Sequence, residues 1–272
     1  MKKKISIITL LLLSVLGIKS QKPDTLNVNY YENYPFAYTE SGTLVGIEID
    51  IIHEYVAWLK KKGVDVVVNY NAIAEFSAFY NSVKNGNSKT IGLGSVTSNS
   101  DREKELLISP PYMQNVAVLV SAGSVPTIKS KTNPEVENVL GKLSAVVVKG
   151  SSHEKYLKDI KEKFVPGLKI TQVETQSRIL ESIISNAGQF GYVDIIAYWA
   201  FLKKNNGKYI KMQKVFNEPK EYLGFIMPKS SVHSAYINEF FESGFGFTAT
   251  KMYHQILEKY LGYEIIESVE LK

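Results

Sequence analysis

The chain has 272 residues, 44% of them hydrophobic and 22% charged, and it contains no cysteine. That length and balance exclude a disordered chain and leave room for one large or two modest cores; the missing thiols exclude disulfides, thiol catalysis, cysteine-ligated metals and a lipid joined to an N-terminal cysteine. The formal charge of +5 is no argument for nucleic acid, because Lys2, Lys3, Lys4 and Lys19 sit in one N-terminal segment without acids, and removing them leaves +1.

Residues 1–20 have a basic head and an apolar run, Ile5 to Ile18, too short to cross a bilayer comfortably. Ser20 offers a small residue before a cut, so the segment reads as a cleavable secretory signal that leaves Gln21 as the new start. A membrane anchor is the alternative. An exported chain without an anchor needs confinement, which points to the periplasm. Leu26, Val28 and Tyr30 alternate with polar residues and predict a first strand. Tyr30 to Tyr38, YYENYPFAY, follows as an aromatic loop stiffened by Pro35. Such a loop packs onto a core or lays a ring over a ligand. Over Gly46 to Lys62, Ile52, Tyr55, Val56 and Leu59 recur at helical spacing, lysines suit the negative end, and Gly63 stops the helix. Glu48, Asp50 and Glu54 read as solvated or capping groups. Val64 to Val68 predicts a strand, and Phe76, Phe79, Tyr80 and Val83 one face of a short helix.

Ile91 and Leu93 alternate with Thr90 and Gly92 in a strand that ends at Gly94. From Gly94 to Tyr112 the chain reads GSVTSNSDREKELLISPPY, with a short helical turn opening at Asp101 and Arg102. Small hydroxyl residues at a strand's carboxyl end leave backbone N–H groups open to a ligand. An arginine five residues after Thr97 brings a planar fork to the same point. Thr97 and Arg102 thus form a candidate carboxylate clamp; the structural alternative is two surface loop residues. Strand–helix–strand alternation implies a parallel sheet covered by helices, with ligands beyond the strands' carboxyl ends. The clamp and Asn33 both fall at such ends.

Ala117 to Val120 is apolar, and a Ser, Pro and Lys-rich connector runs on to about Lys142. That composition shift marks a crossing into a second lobe. Ala145 to Val148 predicts a buried strand, and KGSSHEKYLKDI turns at Gly150 into a helix that Ser151 and Ser152 open. Bare N–H groups and the helix dipole favour an anion there by about 0.3–1 kcal/mol. Plain capping by Ser152, with Glu154 in the first turn, is the alternative. The turn lacks the spacing of a phosphate loop. Leu168 to Val173 predicts a strand, and Ile179, Leu180, Ile183 and Ile184 a helix face. Tyr192 and Val193 lead into Asp194, an acid at a strand–helix junction and ordinarily an N-cap. Glu221 to Ser231, EYLGFIMPKSS, and helices around Val232 to Glu242 and Ala249 to Leu261 complete the chain. Four dispersed histidines imply no metal site, and nothing calls for a cofactor.

These stretches resemble the family 3 extracellular solute-binding proteins, the polar amino acid receptors of ABC importers. Their signature reads approximately G-M-T-x-T-x-x-R-x-x-x-x-x-F-S-x-P-Y. Thr97, Arg102, Ser109, Pro111 and Tyr112 fall at matching spacing, while Ser95 replaces the Gly, Asn99 the second Thr and Ile108 the Phe. Gly46 and Asp50 match a G-F-x-x-D element, and Glu221 to Ser231 is similar to the segment that returns to the first lobe. The resemblance implies that Thr97 and Arg102 hold a ligand α-carboxylate. Ser152, and beside it His153, would meet that group from a V-x-x-G-T-T turn, and Asp194 would bind the α-ammonium. It puts a stacking aromatic at Phe76, brings Asn33 and Tyr34 near the position of a second ligand-facing aromatic, and adds Ser95 to the ligand-binding set. Gln189 stands where the family usually has an Asp, and NGNSKTIG lacks another.

The implied fold is α/β: a two-lobed type II periplasmic binding protein, each lobe a mostly parallel sheet flanked by helices, joined by two hinge crossings. Residues 24–115 and 219–272 would form the first lobe and 116–218 the second. The implied function is that of a monomeric periplasmic receptor. It would close on a small amino acid-like ligand and deliver it to an ABC permease in the inner membrane. No nucleic acid, lipid anchor, cofactor or metal is implied. Family members that select cationic or amide side chains often carry an acid about where Tyr30 stands, which argues against a strongly basic ligand. Two alternatives remain. One is a cyclohexadienyl dehydratase-like enzyme with Glu32 or Asp194 as general acid. The other is a sensing subunit that acts through a separate partner.

Overall fold

A computed structural model describes residues 24–206 and 209–268. The segment read as a signal peptide lies outside them. The period-two pattern that opens the described chain forms β1 (Asp24–Tyr31), which buries Leu26 and Val28 on one face. A hairpin of β2 (Tyr38–Glu40) and β3 (Thr43–Val45) leads to α1 (Ile47–Lys61). That helix buries Ile52, Tyr55 and Leu59, as their spacing predicts, and Gly63 ends it in the left-handed region at φ 80°. Gly46 precedes it because nothing larger fits: a Cβ there would stand 2.1 Å from the Phe36 carbonyl oxygen. Next come β4 (Val66–Ile73), α2 (Phe76–Lys84), β5 (Thr90–Thr97), α3 (Ser100–Glu105) and β6 (Leu107–Ile108). β5 runs past Gly94, where the sequence pattern ends it, because Val96 and Thr97 still pair with Gly224 and Leu223.

β7 (Met113–Ala122) is followed by α4 (Asn133–Leu140), β8 (Ser144–Val148), α5 (Ser152–Lys163), β9 (Ile170–Val173), α6 (Gln176–Ser185), β10 (Gln189–Asp194), α7 (Ile195–Lys204) and β11 (Ile210–Met212). α4 lies inside the stretch read as a connector. It has Pro134 in its first turn and docks on the core through Val136, Val139 and Leu140, a stripe too short to stand out among polar neighbours. β12 (Lys220–Met227), α8 (Ser234–Glu242), α9 (Lys251–Leu261) and α10 (Tyr263–Ser268) close the chain.

The sheet order is β4-β1-β5-β12-β7-β10-β8-β9, with β6 added to β12 and β11 to β7. β1 is parallel to β4 and β5, and β8 is parallel to β9 and β10. Between these groups β7 and β12 run antiparallel. β7 pairs with β12 over Met113 to Val116 and with β10 over Ala117 to Ser121. Two parallel groups therefore join through one pair of crossing strands, which is the two-lobed α/β fold the resemblance implies. One apolar cluster packs Val118, Val146, Leu157 and Ile179, and a second packs Leu26, Tyr55, Phe225, Ile237 and Leu257. Each fully buried side chain of this size stabilises the fold by about 1.5–3 kcal/mol. The crossing also positions the site. Thr97 ends β5 opposite Leu223, and Asp194 ends β10 opposite Ala117, so both carboxyl ends arrive at the same pair of strands.

Candidate ligand-binding cleft

All eight residues of β5 are buried, so the polar ones among them need partners. Ser95 stands at φ 45°, in the left-handed region that side chains rarely adopt. Its N–H donates to Glu48 Oε1 at 3.1 Å and its hydroxyl to Asp194 Oδ2 at 3.4 Å, while Asn33 Nδ2 donates to that hydroxyl at 2.8 Å. Thr97 Oγ1 donates to Glu221 Oε2 at 3.2 Å. Asn99 caps α3 by accepting the Arg102 N–H at 3.0 Å, and the first turn it fixes aims Arg102 back over the strand. There Arg102 Nη1 donates to the Thr97 carbonyl at 2.9 Å. The guanidinium lies 5.5 Å from the Phe76 ring and 5.9 Å from the Tyr80 ring. Burial pushes its pKa down and Tyr80 and Glu221 push it back, yet a guanidinium keeps its charge in proteins.

The other wall is built by α5 and β10. Gly150 turns the chain at φ 76°, and its N–H donates to Glu154 Oε2 at 2.9 Å. The N-cap position of α5 is Ser151, not Ser152, and neither supplies the expected side-chain cap: the Ser151 hydroxyl donates to the Val148 carbonyl at 2.7 Å instead. Ser152 becomes the first helical residue and lines the cleft with His153. Asp194 precedes α7 but makes no capping bond with its side chain. Its carboxylate instead accepts Gln176 Nε2 at 2.5 Å and Asn115 Nδ2 at 2.7 Å, and His153 Nε2 lies 3.4 Å away. Burial alone raises the Asp194 pKa. His153, Gln176 and Asn115 outweigh it and hold the group below the ordinary carboxylate value.

Of the expected site residues, Phe76, Ser95, Thr97, Arg102, Ser152, His153 and Asp194 line one narrow cleft, with Tyr31 and Gln176. Asn33 stands behind Ser95. Tyr34 is placed elsewhere: its ring meets Tyr38 edge-on, Lys204 lies over it at 5.0 Å, and it lines a separate surface pocket. Tyr31, the last residue of β1, faces the cleft in place of Tyr34. The Tyr31 ring packs edge-on against Phe76 at 5.4 Å, and its hydroxyl donates to the Glu174 carbonyl across the cleft.

Two buried acids correct the sequence reading. Glu48, expected as a solvated or capping group, is wholly buried and also accepts from Tyr112 Oη at 2.7 Å. Burial pushes its pKa up to about 7, against the pull of Tyr112 and the Ser95 N–H. Glu221, on a crossing strand, accepts from Tyr156, Thr97 and Asn115. Asn115 and Glu221 are direct partners in the ladder. That buried polar pair is the signal that marks the crossing as part of the candidate site. Among the described residues no group of three or more His, Cys, Asp or Glu is placed to hold a metal.

The profile of the bacterial extracellular solute-binding proteins, family 3, matches residues 26–263. The chain is a member of that family. Among its relatives is a probable amino-acid-binding protein, YxeM, of Bacillus subtilis. It is 31% identical over a 193-residue alignment that covers 67% of this chain and 67% of the relative. The fold of this family 3 protein is similar to an ABC uptake transporter substrate-binding protein from Streptococcus pneumoniae with bound histidine. The TM-score is 0.71 and the identity 17%, over 89% of this chain and 94% of the other. It is also similar to the arginine-, lysine-, histidine-binding protein ArtJ of Geobacillus stearothermophilus. Here the TM-score is 0.68 and the identity 19%, over 88% and 96% of the two chains. Among the described residues no helix is long and apolar enough to cross a membrane.

Proposed function

We propose that this solute-binding protein captures a single α-amino acid between its two lobes and presents it to an ABC permease. One observation carries the reading: Arg102, in the helix α3 that follows β5, and Asp194, at the end of β10, line the same cleft. A guanidinium and a carboxylate facing one narrow space suit a small zwitterion, because either ligand charge would cost several kcal/mol if buried unpaired. Arg102, Thr97 and the start of α5 at Ser152 receive the carboxylate; Asp194 and Ser95 receive the ammonium; Phe76 and Tyr31 cover the aliphatic part. Asn33 supports Ser95 from behind. Among the described residues one lobe comprises 24 to 115 with 219 to 268 and the other 116 to 206 with 209 to 218, the last four residues assigned to the first lobe lying outside those described, and β7 and β12 form the hinge. Closure on the ligand is selected by contacts made to both lobes at once.

Export by a cleaved segment at residues 1–20, confinement to the periplasm and a monomeric state complete the proposal. Binding without turnover is preferred over dehydratase chemistry, because Asp194, the acid that lines the cleft, is held ionised by Gln176, Asn115 and His153 rather than poised to give a proton. The test is a thermal-shift screen of the common L-amino acids and simple carboxylates on the wild type and on Asp194→Asn. At least one amino acid is expected to raise Tm, and Asp194→Asn to lose that rise while keeping any response to the des-amino carboxylate. An unchanged response in the variant rejects Asp194 as the ammonium's partner.

A further inference from the structure

Asp194 is already crowded. A carboxylate offers about four acceptor sites, and four donor groups converge on this one. Gln176 and Asn115 are close, at 2.5 and 2.7 Å, while Ser95 Oγ and His153 Nε2 both stand at 3.4 Å. The close pair is fixed. Gln176 Oε1 also accepts the Asp194 backbone N–H at 2.6 Å, and Asn115 belongs to a crossing strand. An arriving cation therefore reaches Asp194 by replacing the distant pair. Ser95 can rotate its hydroxyl and accept from the newcomer. His153 has only a ring N–H to give up.

His153 is 3% exposed, and its Nδ1 has no hydrogen-bond partner among the described residues. The network thus puts the proton of the neutral ring on Nε2, facing Asp194. A second proton goes to Nδ1 and converts that contact into a buried ion pair, stronger than a neutral hydrogen bond. We propose that His153 is a specificity-determining residue: an internal stand-in for the ligand's ammonium, which Asp194 must release before an amino acid is held, so that protonated His153 competes with amino acids and weakens their binding. The proposal rests on the reading of Asp194 as the ammonium's partner. The groups around the imidazole support the competition. Asp194 and Tyr192 face it from β10, and Tyr192 donates to Glu218. On its own helix stands Tyr156, which donates to Glu221 of β12. Glu48 of α1 lies behind Ser95, and Arg102 of α3 lines the same cleft. Asp194 and Glu221 are the acids nearest the ring and Arg102 the nearest cation, while burial raises the pKa of Glu48 to about 7.

The experiment measures affinities by calorimetry for the common L-amino acids and their des-amino counterparts, propionate for alanine and so on. Wild type, His153→Asn and Glu48→Gln are each titrated at about pH 8 and about pH 5.5, within the range where a histidine changes charge. Amino acids are expected to bind the wild type roughly tenfold more weakly at the lower pH, a typical coupling between sites, while des-amino acids hold their affinity. His153→Asn should abolish the difference and Glu48→Gln should retain it. His153→Gln replaces the Asn variant if that one gives no cooperative melt. Equal amino acid affinities at both pH values in the wild type overturn the proposal alone. So does a difference that survives in His153→Asn, or one that disappears only in Glu48→Gln. If no amino acid binds the wild type at either pH, the proposal and the underlying reading fall together.

Discussion

The two charged walls of the cleft treat their charge in opposite ways. Arg102 donates to one backbone carbonyl and rests against two rings, and acids balance it at a distance: Glu221 and, more weakly, Asp194. Asp194 is met in contact by Gln176 and Asn115, with Ser95 and His153 just beyond. A ligand carboxylate therefore adds a new partner to Arg102, while a ligand ammonium only exchanges partners at Asp194. Binding energy should come mainly from the arginine side, and discrimination between ligands from the aspartate side.

Arg102→Ala is the most severe way to break that asymmetry. Truncating one member of a buried charge pair costs 2–5 kcal/mol, so a loss of about 4 kcal/mol, on the order of a thousandfold in Kd, is expected for any carboxylate ligand. Arg102→Lys should recover only part of it, since an ammonium lacks the planar fork. Calorimetry with the best ligand from the screen decides the matter. A loss below tenfold in Arg102→Ala would place the principal carboxylate contact elsewhere.

The arginine side was legible in the sequence because it is local. Thr97, Asn99 and Arg102 lie within six residues, and a single capped turn places them. The aspartate side was legible only at Asp194 itself. Asn115 and Gln176 reach it from 79 and 18 residues away, along a strand and a helix whose facing no local pattern fixes. Glu48 misled for a related reason. An acid in the first turn of a helix normally suits the dipole and faces water, and here tertiary packing brings Tyr112 and Ser95 over it. The alternation of strands and helices was readable along most of the chain; α4 was hidden by its polar composition. Tyr31 and Tyr34 are close together in one aromatic stretch, but Tyr31 ends β1 and Tyr34 lies in the turn beyond it, and which of them faces the cleft depends on where the strand stops.

Glu48 gives the next largest effect, and it sharpens the comparison because it shares Ser95 with Asp194. Its folded pKa, raised to about 7, lies above the ordinary glutamate value. The folded state therefore holds the proton more tightly than the unfolded chain does. Below the unfolded pKa, near 4.3, both states carry it and there is no penalty. As pH rises toward 7 the unfolded chain releases it first, so stability falls across that window by up to about 3 kcal/mol. Glu48→Gln should remove this fall, with the variant's Tm above wild type at pH 8 and the gap closing by pH 4. Parallel melting curves for the two proteins across that range would mean that Glu48 stays ionised, and that the aspartate wall carries one more negative charge than supposed.

Ser95→Gly is the mildest test and the one that best divides the two walls. At φ 45° a residue with a Cβ is strained by about 1–2 kcal/mol, which glycine relieves. The hydroxyl's bonds with Asn33 and Asp194 are lost, at about 0.5–1.5 kcal/mol each. These effects oppose one another, so the melting temperature should hardly move. Affinity is where the variant speaks. If Ser95 serves the ammonium, amino acids should bind Ser95→Gly a few-fold more weakly while des-amino acids are unaffected. If both ligand types weaken alike, Ser95 belongs to the arginine wall, and the hydroxyl that spans the cleft helps to hold the carboxylate instead.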